Sequence, residues 1–380
     1  MAQPAGRSQN RVAISVTQSR GAGMKILFVT DLHYLPQGSG GCQSLIHELA
    51  LELIERGHQP SVLTTLDYRG YVGLRTRVLM KLLRQKTVRD HMLGYPVYRR
   101  WIMSDLRQPI AVMSPDVAVA LPRDIYGIAR ELSTLSVPTV AYFQDVLFRQ
   151  LSGDPGTLKH VRFAANSRFT ARRCKETYGL QPVVIPPLIR ADRYLAARKP
   201  CNVTMINPHP EKGGNLVLDL ASRLPEIPFC LVESWELEGA DKKNLHARLK
   251  TLSNVKLKSR TDDMKCVYSE AKILLAPSLC EEAWGRVASE AQINGIPVVA
   301  SNRGGLPEAV GPGGAILDPE APIDLWVEEI RRLWTNADYY HEKSQAALAH
   351  AKRPELDSAN QIDALLALLR EAVPPNRPAA

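Results

Sequence analysis

Residues 24–65 read MKILFVTDLHYLPQGSGGCQSLIHELALELIERGHQPSVLTT, and their order decides the fold. Met24–Thr30 is a short apolar run without helical period, as a buried parallel strand requires. A glycine-rich turn follows at Gly38-Ser39-Gly40-Gly41. Over Cys42–Arg56, the residues Leu45, Ile46, Leu49, Ala50, Leu53 and Ile54 share one helical face. Gly57 stands where a helix-ending glycine belongs, and Gln59–Thr65 predicts the next strand. Strand–helix–strand in this order implies a parallel sheet covered by helices.

The alternation continues outward. Asp116–Ala120, Thr139–Phe143, Phe163–Asn166 and Val183–Ile185 read as further strands, with Ser167 capping a helix that runs to about Tyr178. Pro186-Pro187 stops this half, and 187–200 reads as a linker. A second series begins at Val203, with strands at Val203–Ile206, Phe229–Val232, Val255–Leu257, Ile273–Ala276, Val298–Ala300 and Ala315–Leu317. Helices are expected between them at Asn215–Leu224, Asp241–Leu252, Asp263–Ala271 and Trp284–Asn294. Three more helices, near 322–335, 339–351 and 358–371, close the chain. The fold class is therefore α/β, two doubly wound halves facing a central cleft. The expected division is a flexible tail at 1–23, an N-terminal domain at 24–190, a C-terminal domain at 200–355, and a last helix at 356–372 that crosses back to the first domain. The last six residues, rich in proline, are expected to be disordered. Ligands of such sheets bind beyond the carboxyl ends of the strands, here in the cleft.

Composition agrees with two globular domains. The chain has 380 residues, 45% of them apolar and 23% charged, more than one hydrophobic core accommodates. No apolar run reaches the roughly 20 residues of a membrane-spanning helix. The first 23 residues lack the apolar segment of a secretory signal, so a cytoplasmic protein is expected. Six cysteines without a CxxC pair read as reduced thiols. The nine histidines show no zinc spacing. The formal net charge is +9, and nearly all of it lies between Arg69 and Trp101. There Arg69, Arg75, Arg77, Lys81, Arg84, Lys86, Arg89, Arg99 and Arg100 face a single acid, Asp90. Leu74, Val78, Leu79, Leu82 and Leu83 add an apolar face. Such a stretch suits either an interfacial helix on anionic lipid, at the inner face of the membrane, or a groove for an anionic acceptor. A solvated surface helix is the plainer reading.

The chemistry concentrates in Glu281–Gly311, EEAWGRVASEAQINGIPVVASNRGGLPEAVG. Glu282 and Glu290 are eight apart, which places them within about 80° of each other if the helix extends back to Glu282. The free N–H groups of Ala283, Trp284 and Gly285 would then stand at a helix N-terminus, an anion site. Carboxylates suit sugar and ribose hydroxyls, and N–H groups suit phosphates. The combination fits a nucleotide sugar lying across the helix end. A second motif is Ile206–Gly214, INPHPEKGG, where Lys212 precedes a Gly-Gly turn and offers a point charge to a diphosphate. There is no DxD pair to hold a divalent metal, so no metal site is predicted.

These stretches resemble the donor site of the retaining glycosyltransferases of family 4, which have the GT-B fold of two Rossmann-like domains. The resemblance covers about residues 24–370. It also takes in the first strand–helix–strand unit, Ala165-Asn166-Ser167 with Phe169-Thr170, and the later VVIPPL. It implies that Glu282 contacts the donor-sugar hydroxyls, Glu290 grips the ribose and Lys212 receives the leaving phosphates. The family often carries an arginine five residues before that lysine. Asn207 stands there in this chain, and Arg260 and His209 are the candidates to compensate. Gly40 and Gly41 would let the backbone approach donor phosphates and acceptor. Gln144, before Asp145, holds the place of a family histidine, and with His33 it is assigned to orienting the sugar or acceptor. Gln144 cannot titrate, so it is no general base.

The resemblance further implies transfer on one face of the sugar, with the departing phosphate taking the acceptor proton. The protein then works by positioning and by stabilising the leaving group. The expected substrates are a nucleoside-diphosphate sugar, a UDP-sugar above all, and a small-molecule, glycan or lipid-linked acceptor. No cofactor is expected. A nucleotide-sugar epimerase or a hydrolase on the same fold is the alternative, separated by donor turnover without acceptor. A basic nucleic-acid-binding protein is a third reading. It would need an aromatic-interleaved basic strip or a recognised module, neither of which is present, so no nucleic-acid partner is expected.

Overall fold

Two parallel sheets face each other in the computed structural model, which describes residues 23–374. The tail expected at 1–23 and the last six residues lie, but for Gly23, outside the described residues. The first half runs β1 (Lys25–His33), α1 (Gly41–Glu55), β2 (Gln59–Thr65), α2 (Gly70–Leu83), β3 (Thr87–Asp90), β4 (Val97–Arg100), α3 (Arg107–Met113), β5 (Val117–Ala120), α4 (Ile125–Thr134), β6 (Thr139–Phe143), β7 (Val161–Ala165), α5 (Arg168–Tyr178) and β8 (Val183–Val184). Its strand order is β3-β4-β2-β1-β5-β6-β7-β8. Only β3 is antiparallel, to β4. After the short α6 (Ala191–Tyr194) the second half runs β9 (Asn202–Ile206), α7 (Gly214–Arg223), β10 (Phe229–Val232), α8 (Gly239–Leu249), β11 (Val255–Lys258), α9 (Met264–Glu270), β12 (Ala271–Ala276), α10 (Arg286–Gln292), β13 (Val298–Ser301), α11 (Leu306–Val310) and β14 (Gly314–Leu317). Its order is β11-β10-β9-β12-β13-β14. Helices α12 (Ile323–Thr335), α13 (Ala337–Ala351) and α14 (Ser358–Ala372) follow.

Continuous apolar strands work here because both faces of each sheet are covered. In β1, Ile26 and Phe28 pack with Leu45 of α1, while Leu27 and Val29 pack with Ile110 of α3 and Ile128 of α4. In β12, Ile273 and Leu275 join Leu218 of α7 and Trp326 of α12, while Leu274 joins Ala288 of α10 and Ala309 of α11. Helix α14 is capped by Asp357, whose side chain accepts from Asn360 N at 3.0 Å. It returns to the first half, where Ile362, Leu365, Leu366, Leu368 and Leu369 are buried with Ile26 and Phe28. Full burial of each such side chain contributes about 1.5–3 kcal/mol, so this helix belongs to the N-terminal core.

The stretch 69–101 differs from its sequence reading in its second part. It holds α2 and then the β3–β4 pair, which sequence periodicity did not show. Arg99 and Arg100 are buried. Arg99 Nε pairs with Asp90 at 2.8 Å across the antiparallel ladder, and its Nη2 donates to Leu35 O at 2.6 Å. Arg100 donates to Ser104 O and Asp105 O. These two cations are structural and offer nothing to an anionic partner. On α2 the buried face is Val72, Gly73, Thr76 and Met80. Leu74, Val78, Leu82 and Leu83 lie outward, 49–73% exposed.

Candidate donor site

Each sheet has one place where the chain reverses its direction of growth. In the first it falls between β1 and β5, in the second between β9 and β12. Crevices at such switch points hold ligands. Gly40 ends the loop after β1 and Gly41 opens α1; the loops after β9 and β12 carry Lys212 and Glu282.

Lys212 ends a single 3₁₀ turn, Pro210–Lys212. Gly213 follows at φ 84°, and a Cβ there would stand 2.1 Å from Pro277 O. The two switch-point loops therefore approach closely only because this residue has no side chain. Lys212 Nζ then reaches Glu282 Oε1 at 2.7 Å and lies 5.0 Å from the centroid of the Trp235 ring. Ser278 Oγ donates to the same Oε1 at 3.1 Å. Burial pulls the Lys212 ammonium down, but Glu282 and Cys280 outweigh it and the net shift is upward. Lys212 is a permanent cation at neutral pH.

Glu282 does not extend the helix of Glu290. Helix α10 starts at Arg286, and its cap, Gly285, has φ 97°. That left-handed turn ends any backward continuation. Gly305 N donates to Glu282 O at 2.7 Å instead, holding residues 282–285 as a loop. This corrects the expectation of one helix face carrying both glutamates, and of a helix from Trp284 to Asn294. Ala283 and Trp284 are buried. The Trp284 ring lies in the core, with Nε1 donating to Ser289 Oγ at 3.0 Å. Only the backbone of these two residues can meet a ligand.

Glu290 is buried, with Tyr268 OH donating to Oε2 at 2.7 Å and Arg286 Nε 3.4 Å from Oε1. Burial raises its carboxyl above the usual range, against the pull of Arg286. Glu290, Arg286, Arg260, Gly40 and Gly41 line one pocket of about 160 Å³ between the halves. Gly41 sits directly on Arg286, whose Cδ would lie 3.2 Å from an added Cβ. The Lys212–Glu282 pair is not in the wall of this pocket. Asn207, at φ 65°, accepts from Trp235 N at 3.3 Å and so fixes that loop. Of the two candidate compensating cations, Arg260 lines the pocket, whereas His209 caps its own turn through Nδ1.

Gln144 and His33 are not in this wall either. Gln144 follows β6, with its carbonyl accepting from Asn166 Nδ2 at 3.2 Å and its Nε2 buried without a partner among the described residues. His33 ends β1, exposed, with Nδ1 3.2 Å from Thr65 Oγ1. Sequence reasoning passed over Arg286, Glu48 and Tyr194. Arg286 carried a signal, standing four residues before Glu290 within the glutamate motif. Glu48 carried none, because it reads as an ordinary polar position of an amphipathic helix.

The described family Glycosyl transferases group 1 matches residues 199–350, the half that holds Lys212, Glu282 and Glu290. The whole described chain is similar to a glycosyltransferase of Rickettsia africae, with a TM-score of 0.72 at 16% identity over 93% of this chain and 100% of that one. It is similar also to Anabaena HepE in complex with UDP and glucose, with a TM-score of 0.69 at 20% identity over 91% of this chain and 99% of that one. The fold is GT-B. Among curated relatives, the D-inositol 3-phosphate glycosyltransferase of Mycobacterium leprae is 32% identical over 178 residues, 43% of this chain and 40% of that protein. The chain spans about a fifth of the length of other curated relatives bearing the same name, for example that of Corynebacterium diphtheriae at 37% identity over 92 residues, 24% of this chain and 21% of that protein.

Proposed function

We propose that this GT-B protein is a retaining glycosyltransferase of family 4 that moves a sugar from UDP-sugar to a hydroxyl acceptor without a metal. The observation that carries the reading is the pairing of Lys212 with Glu282 at the β9/β12 switch point, beside a pocket in which Glu290 is buried. Glu290 takes the ribose diol and Glu282 the sugar hydroxyls. Lys212 and the backbone N–H groups of 283–285 take the diphosphate. Before the donor arrives, Lys212 and Glu282 neutralise each other. The acceptor hydroxyl comes from the N-terminal half, past Gly40, Gly41 and Gln144. Its oxygen bonds to the anomeric carbon on the face from which the phosphate oxygen leaves, and its proton passes to that phosphate. The products are UDP and a glycoside of unchanged anomeric configuration. UDP is favoured as carrier by the likeness to a fold relative that binds it.

Proton NMR of the product formed from UDP-glucose or another UDP-sugar in excess EDTA tests the reading. Retention with full turnover is expected. An inverted product, or activity lost on chelation and restored by Mn²⁺, overturns it.

The same reading places the acceptor side against an anionic membrane. No helix among the described residues is long and apolar enough to cross one. Helix α2 instead turns Leu74, Val78 and Leu82 to solvent at a spacing of four, with Arg77, Lys81 and Arg84 exposed beside them. An apolar stripe flanked by cations suits anionic lipid, and co-sedimentation with anionic vesicles at low and high salt tests this contact.

A further inference from the structure

Glu48 is fully buried on α1 of the N-terminal half, yet its partners come from elsewhere. Its Oε1 accepts from Arg286 Nη2 at 2.9 Å, from Tyr194 OH at 2.6 Å and from Arg193 Nη1 at 3.3 Å. Its Oε2 accepts from Arg190 N at 3.0 Å. Arg286 belongs to the donor helix α10 and also donates to Leu188 O at 2.7 Å. A carboxylate is buried at this depth only when well paired, so Glu48 ties the first half to the linker and to α10.

Two carboxylates thus share one guanidinium. Arg286 is 2.9 Å from Glu48 but 3.4 Å from Glu290. The longer of these contacts is an ion pair without a hydrogen bond. We propose that Glu48 is a positioning residue for the donor: by engaging Arg286 from across the cleft, it leaves Glu290 Oε1 free for the nucleotide ribose. This rests on the ribose role proposed for Glu290. Without the charge of Glu48, Arg286 has one carboxylate left, four residues on along its own helix. Such a pair closes into a direct charge-assisted contact, which occupies the oxygen the ribose needs. The arrangement also makes the donor site depend on contact between the halves, since Glu48 acts only when α1 stands against α10.

Glu290 is faced by Arg286 on its own helix, by Tyr268 on α9, by Glu48 on α1, and by Arg193 and Tyr194 on α6. Burial raises its carboxyl, and Glu48 adds to that rise while Arg286 opposes it. UDP binding therefore weakens as pH falls and Glu290 protonates. Removing the Glu48 charge lets Glu290 ionise more easily and moves this acidic limb to lower pH.

Titration calorimetry with UDP, on the full chain between about pH 5 and 8, decides the matter for Glu48→Gln, Glu48→Asp and Glu290→Gln. Glu48→Gln is expected to raise the Kd of UDP about tenfold at neutral pH and to shift the acidic limb downward. With donor saturating, kcat should change little. Glu48→Asp should show both effects in smaller measure, and it is read alone if the first variant does not fold. A folded Glu48 variant that binds UDP as the parent does, with an unmoved limb, overturns the proposal. So does a loss of affinity and kcat together with an unmoved limb, which marks a purely structural residue. If Glu290→Gln binds UDP as tightly as the parent, the underlying ribose role is wrong instead.

Discussion

Lys212 shows how little of the sequence is needed to make a charge useful. A lysine before Gly-Gly is ordinarily a solvated cation. Here Gly213 lets its loop close on Pro277, and Lys212 comes to rest between Glu282 and the Trp235 ring. Replacing either member of the pair by alanine leaves a lone, half-buried charge, while the fold keeps its core. For Lys212→Ala and Glu282→Ala we expect kcat/KM to fall by about 10²–10³, the usual loss when one contact to developing charge is removed. Circular dichroism should be unchanged. Turnover near that of the parent in either variant would contradict the assignment. The residue types of this pair were legible in the sequence. The 2.7 Å contact was not, because it depends on two loops 70 residues apart.

Elements with strict periodicity were read closely. The strands Gln59–Thr65, Thr139–Phe143 and Phe229–Val232 fall where alternating βα units demand. The β3–β4 pair was missed because its sequence is cation-rich. Val88 and Val97 are inward-facing, but Arg99, in register with Val88, is buried through Asp90 two positions further along β3 and through the carbonyl of Leu35. No local pattern announces such a partner. Helix α10 was drawn too long for a related reason, since the left-handed Gly285 breaks a run that reads as continuous. At this scale belongs the proposed membrane contact of α2. Its pull is mostly Coulombic, so it weakens as the Debye length falls from about 10 Å at 0.1 M salt to about 3 Å at 1 M. Reversing Arg77, Lys81 and Arg84 to glutamate should release the protein from anionic vesicles, with UDP affinity unmoved. A triple variant that co-sediments as the parent does would reduce α2 to a solvated surface.

Over the whole molecule, the site is an agreement between two sheets. Each half contributes its own switch point, and the pocket has walls from both. The last helix closes the first half from the far end of the chain, and Gln361 donates to Pro186 O at 3.2 Å beside the linker. Arg190 of that linker meets Glu52, Glu55 and Asp192. The sequence made two facing α/β halves legible because each is built from local units. It did not make the joint legible, since Glu48 and Arg286 are 238 positions apart. This joint is proposed to enclose a nucleoside-diphosphate sugar held without metal, which is the central claim. Thermal unfolding with UDP, in excess EDTA, tests that claim most directly. At a ligand concentration of 100 times Kd, a single-site ligand stabilises the folded state by about 2.7 kcal/mol, so a saturable rise in melting temperature is predicted. The rise should be diminished in Glu290→Gln. A melting temperature that no concentration of UDP or any other nucleoside diphosphate moves would contradict the account.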